Sequence, residues 1–327
     1  MTRAGGLRQI LGAIGLGVVG LLSCEESEYV DRREEIQITS TKDGTEQPSY
    51  LILPKGHDAQ SDPVPLVVSL HPWSANIDGG RNEDLEALVF EKGWIYLWPH
   101  FRGRNNTPEA MGSELAQQDI LDAVAWTREN YPVDGERIYL TGRSGGGHMT
   151  MLMCGRYPDV WTAAVAWVGI SDLAAWHDTH KDGNYGKMIR QSVGAPGESE
   201  SIDAELAARS PLTHLSKARD VALHIAAGRH DGHTGSVPIS HSLNAFNEIA
   251  RANSTDLITE DEIAQMLRPD GHLDTPTAHD QVTDAAFGKE IFLRRQAGNA
   301  MVTVFEGGHT GIATATMDWF EGGRREK

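Results

Sequence analysis

The stretch IYLTGRSGGGHM, residues 138–149, places one serine inside a Gly-x-Ser-x-Gly pattern: Gly142, Arg143, Ser144, Gly145, Gly146. Ile138, Tyr139 and Leu140 before it read as a buried strand, and residues 148–157 after it read as a buried helix ended by Pro158. A serine at a sharp strand-to-helix turn holds its hydroxyl clear of the backbone, and the glycines leave room for the adjoining strand and helix. The pattern alone is weakly specific in a chain with 35 glycines among 327 residues, so its flanks carry the inference.

A serine hydroxyl is a poor nucleophile unless a histidine takes its proton and a carboxylate holds that histidine in place. Both partners should follow apolar strands. After residues 221–227 comes Gly228-Arg229-His230-Asp231-Gly232, and after residues 301–305 comes Glu306-Gly307-Gly308-His309-Thr310-Gly311. The expected set is therefore Ser144, Asp231 and His309, in the chain order nucleophile, acid, histidine. Asp172, which follows the strand 163–168, is a rival for the acid. A metal site on His230, Asp231 and His233 is disfavoured, because alternate positions around a tight turn do not converge well on one ion.

Two hydrogen-bond donors must hold the developing oxyanion. One is the backbone N–H of Gly145. The other should come from the loop after the strand 66–70, His71-Pro72-Trp73-Ser74. Proline has no N–H, which leaves Trp73. Its indole lies either at the mouth of the site or packed under a lid.

The elements that position these residues alternate in kind. Strands are expected at 35–39, 50–53, 66–70, 94–98, 138–140, 163–168, 221–227 and 301–305. Helices are expected at 84–92 and 113–131, the latter with Ser113 as N-cap. Such alternation implies a mostly parallel sheet covered on both faces, with ligands bound beyond the carboxyl ends of its strands. Two long stretches, 171–210 and about 252–290, break the rhythm and read as cap or lid material. For both, and more so for the second, decoration away from the site is the alternative.

The net charge is −17, which argues against nucleic acid and against adhesion to anionic lipid. The first 23 residues read as a signal peptide. Arg3 and Arg8 precede an apolar, Gly-rich run, and Leu21-Leu22-Ser23-Cys24 resembles a bacterial lipobox with Cys24 lipidated. The alternative is a plain secretory signal with an incidental cysteine. Residues 24–34 form a polar tether, and 35–327 one domain. With Cys24 lipidated, Cys154 has no partner and reads as a small core residue. The chain is thus expected to be exported and held at the cell envelope by its lipid alone. Nothing in the residues specifies an oligomeric state.

The segments VPLVVSLHPW, WPHFRGR, TGRSGGGHM, ARSPLTHLSK, AAGRHDGH and FEGGHTG resemble the prolyl-oligopeptidase-like branch of the α/β-hydrolase superfamily over about residues 45–320. The resemblance implies an α/β-hydrolase fold and serine hydrolysis through an acyl-enzyme, with no metal or organic cofactor. It leaves the substrate open, since the branch holds peptidases, carboxylesterases and carbohydrate esterases. The chain departs from many relatives at Pro72, where they carry glycine. Arg102 falls in a loop that often borders the site, where it either binds a substrate carboxylate or serves as an ion-pair partner. Trp73, Trp176 and His230 are expected near the mouth. Peptidases of the branch usually carry a β-propeller before this domain, and the chain has no room for one, so an acyl or carbohydrate ester is favoured. A small exported peptidase on the same residues, or a lipoprotein that binds without cleaving, are the alternatives.

Overall fold

The computed structural model describes residues 32–322. The signal peptide and the lipidation site at Cys24 lie outside the described residues.

A ten-stranded sheet runs in the order β1-β2-β4-β3-β5-β6-β7-β10-β9-β8. The strands are β1 (Arg33–Thr39), β2 (Glu46–Ile52), β3 (Val64–Leu70), β4 (Ile95–Pro99), β5 (Val133–Arg143), β6 (Ala163–Trp167), β7 (Ala222–Gly228), β8 (Thr283–Asp284), β9 (Lys289–Ala297) and β10 (Ala300–Phe305). From β4 through β10 the neighbours pair in parallel, while β1, β2, β9 and β8 join antiparallel at the two edges. Every residue of β6 is buried, as a strand covered on both faces must be.

The main helices are α1 (Glu83–Glu91), α2 (Glu114–Asn130), α3 (Gly145–Arg156), α7 (Ser240–Asn253) and α9 (Ala313–Gly322). Helix α3 packs on β3, β5 and β6, α7 on β7, β9 and β10, and α1 on β4 and α9. Ser113 caps α2 as expected, its hydroxyl accepting from the Ala116 N–H at 3.1 Å. Cys154, on α3, is fully buried and unpaired. No helix among the described residues is long and apolar enough to cross a membrane.

Residues 171–210 contain three short helices, α4 (Leu173–His180), α5 (Asn184–Ser192) and α6 (Glu200–Arg209). They close over a small apolar core of their own. Leu173, Trp176, Met188, Ile189 and Leu206 meet Trp73 from the loop after β3 and Val237 from the loop after β7. Burying those side chains together clamps the segment onto the carboxyl end of the sheet.

The stretch 252–290 holds a helix and an edge strand that apolar periodicity does not reveal. Helix α8 (Glu260–Met266) starts with a capping box between Thr259 and Glu262. Strand β9 continues from this stretch but reads as a charged run at Arg294-Arg295-Gln296. Its charges are spent in pairs: Arg294 lies 2.9 Å from Asp284, while Arg295 pairs with Glu262 at 2.9 Å and with buried Asp280. The stretch touches the Asp231 loop at two points: Arg229 donates to the Asp270 carbonyl at 3.0 Å, and His233 lies 3.1 Å from that of Leu267.

Candidate active site

Ser144 links β5 to α3 with φ 60° and ψ −117°, a backbone state that costs an L-residue energy and persists only where its surroundings enforce it. Here they do. The Ser144 N–H donates to the Trp167 carbonyl of β6 at 2.9 Å, and its carbonyl accepts from His148 at 2.9 Å, opening α3. A Cβ at Gly142 would lie 2.4 Å from the Gly146 carbonyl carbon, and one at Gly146 would lie 2.2 Å from the Leu70 oxygen. The two glycines therefore mark a close approach of backbones that no other residue permits.

The parallel register brings three loops to the same edge. Arg143 is level with Trp167, Trp167 with Ala226, and Gly228 with Phe305. Hence Ser144, Asp231 and His309 lie just beyond the carboxyl ends of β5, β7 and β10, with β6 standing between the first two. The loop after β10 folds back toward the elbow, because a Cβ at Gly311 would touch the Trp167 ring at 3.0 Å.

Asp231 is 2% exposed, and its two oxygens face different ways. Oδ1 accepts from the N–H groups of Gly232 at 3.0 Å and Val237 at 3.1 Å. Oδ2 lies 2.7 Å from His309 Nδ1. The rival Asp172 is occupied as the N-cap of α4, where it accepts from Ala174 and Ala175.

The amides of Gly145 and Trp73 also adjoin. A Cβ on Gly145 would stand 2.4 Å from both the N and the Cα of Trp73. Gly145 occupies the first turn of α3, where backbone N–H groups have no acceptor within the helix. The Trp73 loop is held by His71, whose ring stacks on Phe101 at 3.8 Å and whose Nδ1 lies 3.1 Å from the Pro72 carbonyl. Burial pushes the His71 imidazole down to about 3, so it is neutral.

The remaining sequence-derived residues separate. The Trp73 indole is packed beneath the cap, edge-on to Trp176 at 4.6 Å, so of its two sequence readings the structure takes the second. Trp176 does not reach the mouth. It is fully buried, and its indole N–H donates to the Ser236 carbonyl at 2.9 Å. Arg102 is an ion-pair partner, 2.5 Å from buried Asp119 and 2.8 Å from Asp43. His230 is half-buried and lies 3.0 Å from Glu306. Residues that sequence reasoning passed over include His148 and His241, both held neutral by burial at about 4. Their nitrogens meet backbone: His148 lies 2.9 Å from the Arg209 carbonyl, and the Ser171 N–H donates to His241 at 3.3 Å. Only their position on otherwise apolar helix faces hinted at this.

A cleft of about 360 Å³ opens beside the elbow. It is lined by Pro72 from the loop after β3, by Arg81, Glu83 and Asp84 around the start of α1, by Gly142 and Arg143, and by Thr310 and Gly311. Its lining is largely polar, and Ser144, Asp231 and His309 are not among the residues that form it.

The chain is 27% identical over 210 residues to dipeptidyl aminopeptidase BIII of Pseudoxanthomonas mexicana, covering 59% of this chain and 30% of that one. It is 25% identical over 175 residues to feruloyl esterase B of Thermothelomyces thermophilus, covering 50% and 55%. It thus spans 30% and 55% of the lengths of these two relatives. Among solved structures, Pyrococcus horikoshii acylaminoacyl peptidase superposes with a TM-score of 0.59 at 17% identity, over 88% of this chain and 40% of that one, which shows a shared α/β-hydrolase fold. The model of the prolyl oligopeptidase family matches residues 82–262, a span that contains the Ser144 elbow, Asp231 and the cap helices. By fold and by that match, the chain belongs to the prolyl oligopeptidase family, a family of serine hydrolases.

Proposed function

We propose that this chain is a carboxylesterase acting on short acyl or carbohydrate-linked esters through an acyl-enzyme. The observation that carries the reading is the 2.7 Å Asp231–His309 pair on the same sheet edge as the strained Ser144. In this reading Ser144 Oγ attacks the ester carbonyl while His309 Nε2 takes its proton. Asp231 keeps the other ring nitrogen protonated and stabilises the imidazolium. The N–H groups of Gly145 and Trp73 receive the oxyanion. The histidine then returns the proton to the leaving alcohol, and water repeats the sequence to free the acid.

Two observations favour an ester over a peptide. The esterase relative is matched over 55% of its length and the peptidase relative over 30%. The cleft next to the elbow, lined by Gly142 and Arg143 though not by Ser144 itself, is also small and polar, suited to a short acyl group on a polar alcohol. A peptidase on the same residues is the second reading, supported by the greater share of this chain, 59%, that aligns with the aminopeptidase. Export with a lipid on Cys24 belongs to the same proposal and rests on the N-terminal residues alone.

The test is a panel of 4-nitrophenyl acetate, acetylated xylan oligomers and methyl ferulate beside dipeptidyl 4-nitroanilides. Ester turnover with no amide cleavage is expected, together with labelling of Ser144 by an active-site phosphonate. Amide turnover at comparable kcat/KM sinks the esterase reading. Equal labelling of Ser144→Ala sinks the serine mechanism itself.

A further inference from the structure

Arg143 stands immediately before Ser144, at the end of β5, with its side chain exposed and lining the cleft beside the elbow. Three other arginines around the site have partners. Arg81 lies 3.2 Å from Glu86, Arg102 lies 2.5 Å from Asp119, and Arg229 lies 2.7 Å from Glu306. Among the described residues, Arg143 has no ion pair and no side-chain hydrogen bond. The backbone under it is fixed by the register of Arg143 against Trp167 and by the Ser144 amide bond to the Trp167 carbonyl at 2.9 Å. The guanidinium is therefore a permanent, uncommitted charge on a rigid base, one peptide unit from the proposed nucleophile.

We propose that Arg143 is a specificity residue that binds a carboxylate carried by the ester substrate. The proposal rests on the reading of Ser144 as nucleophile. A guanidinium offers parallel N–H donors that match a carboxylate in two-point contact, and it stays charged at any working pH. Two carboxylates, Glu83 and Asp84, line the same cleft, where Arg81 is the only other cation. Two positive and two negative side chains leave the cleft close to neutral. Selectivity must then come from direct contact with Arg143 rather than from a field that draws anions in from a distance. Glu83 lies 3.8 Å from Arg81, and Arg81 also engages buried Glu86, so that cation is already shared. Arg143 is left as the contact open to an incoming carboxylate.

The carboxylate sits on the acyl side or on the alcohol side of the ester, and two substrate pairs separate these. On the acyl side, 4-nitrophenyl hemisuccinate is compared with 4-nitrophenyl butyrate. On the alcohol side, 4-acetoxybenzoate is compared with its methyl ester. The readout is the ratio of kcat/KM for anionic over neutral ester in each pair, which cancels general effects on catalysis. Arg143→Gln is expected to lower the ratio for one pair about tenfold or more, through KM, and Arg143→Lys to restore part of it. An unchanged melting curve of Arg143→Gln checks the fold. Ratios in both pairs that do not move in Arg143→Gln overturn the proposal. Absence of turnover of all four esters by the wild-type chain, with no phosphonate label on Ser144, is a different outcome, in which the hydrolase reading fails and this proposal with it.

Discussion

His309 and Asp231 meet through Nδ1 and Oδ2 at 2.7 Å although 78 positions separate them in the chain. The carboxylate is aimed before the histidine arrives, because its other oxygen is held by the Gly232 and Val237 amides. Asp231→Asn keeps an oxygen for those amides but turns an NH2 toward the ring, which forces the imidazole into the wrong tautomer. A fall in kcat of ~10⁴ with near-normal stability is expected, measured by steady-state kinetics on 4-nitrophenyl acetate beside a thermal melt. Asp172→Asn should change kcat little, since asparagine caps α4 as well as aspartate does. A larger loss in Asp172→Asn than in Asp231→Asn would reassign the acid.

The elbow predicts two failures of different kinds. Ser144→Ala should fold, lose phosphonate labelling and retain only ~10⁻⁶ of wild-type kcat. Gly146→Ala should not fold well, because its new methyl would lie 2.2 Å from the Leu70 oxygen. Soluble yield and near-ultraviolet circular dichroism distinguish the two.

Arg102 predicts a loss of stability. Arg102→Ala strands Asp119, whose side chain is fully buried against it. Breaking such a pair costs about 3–5 kcal/mol, read as the shift in free energy of urea unfolding. An intact fold with raised KM for anionic esters would instead make Arg102 a substrate contact.

Trp176 predicts the same kind of loss, in the cap. Trp176→Ala empties the centre of the cluster formed by α4, α5, α6 and Trp73. A cost of about 3–5 kcal/mol is expected, with faster hydrogen exchange confined to residues 171–210. Normal stability with altered substrate preference would place the indole in the binding site.

Four buried histidines set the acid side of the stability curve. Burial lowers His71 and His224 to about 3 and His148 and His241 to about 4. Once unfolded, each takes a proton near pH 6.5. Between pH 6.5 and about 4 the unfolded chain therefore binds more protons than the native one, and stability falls as pH falls. Near pH 5.5 these four groups alone contribute uptake of about four protons on unfolding, or roughly 5 kcal/mol per pH unit. Urea titrations at several pH values check the slope. A flat stability between pH 6.5 and 5 would show that these rings are not buried in the neutral form.

Read alone, the residues determined the order Ser144, Asp231, His309 and the alternation of strand and helix. Each of those signals is local: an apolar run of strand length, a glycine turn, a cap such as Ser113. Strand β9 escaped because its two arginines look like surface until Asp280, Asp284 and Glu262 are seen beside them. Tertiary structure decided everything that depends on which distant groups meet. It paired His309 with Asp231 and gave Asp172 to a helix cap. It buried the Trp73 and Trp176 indoles under the cap and committed Arg102 to Asp119, leaving Arg143 open beside Ser144. The reason is physical. A side chain's type sets what it can donate, accept or bury, while the partner that satisfies it is set by the register of strands far apart in the chain.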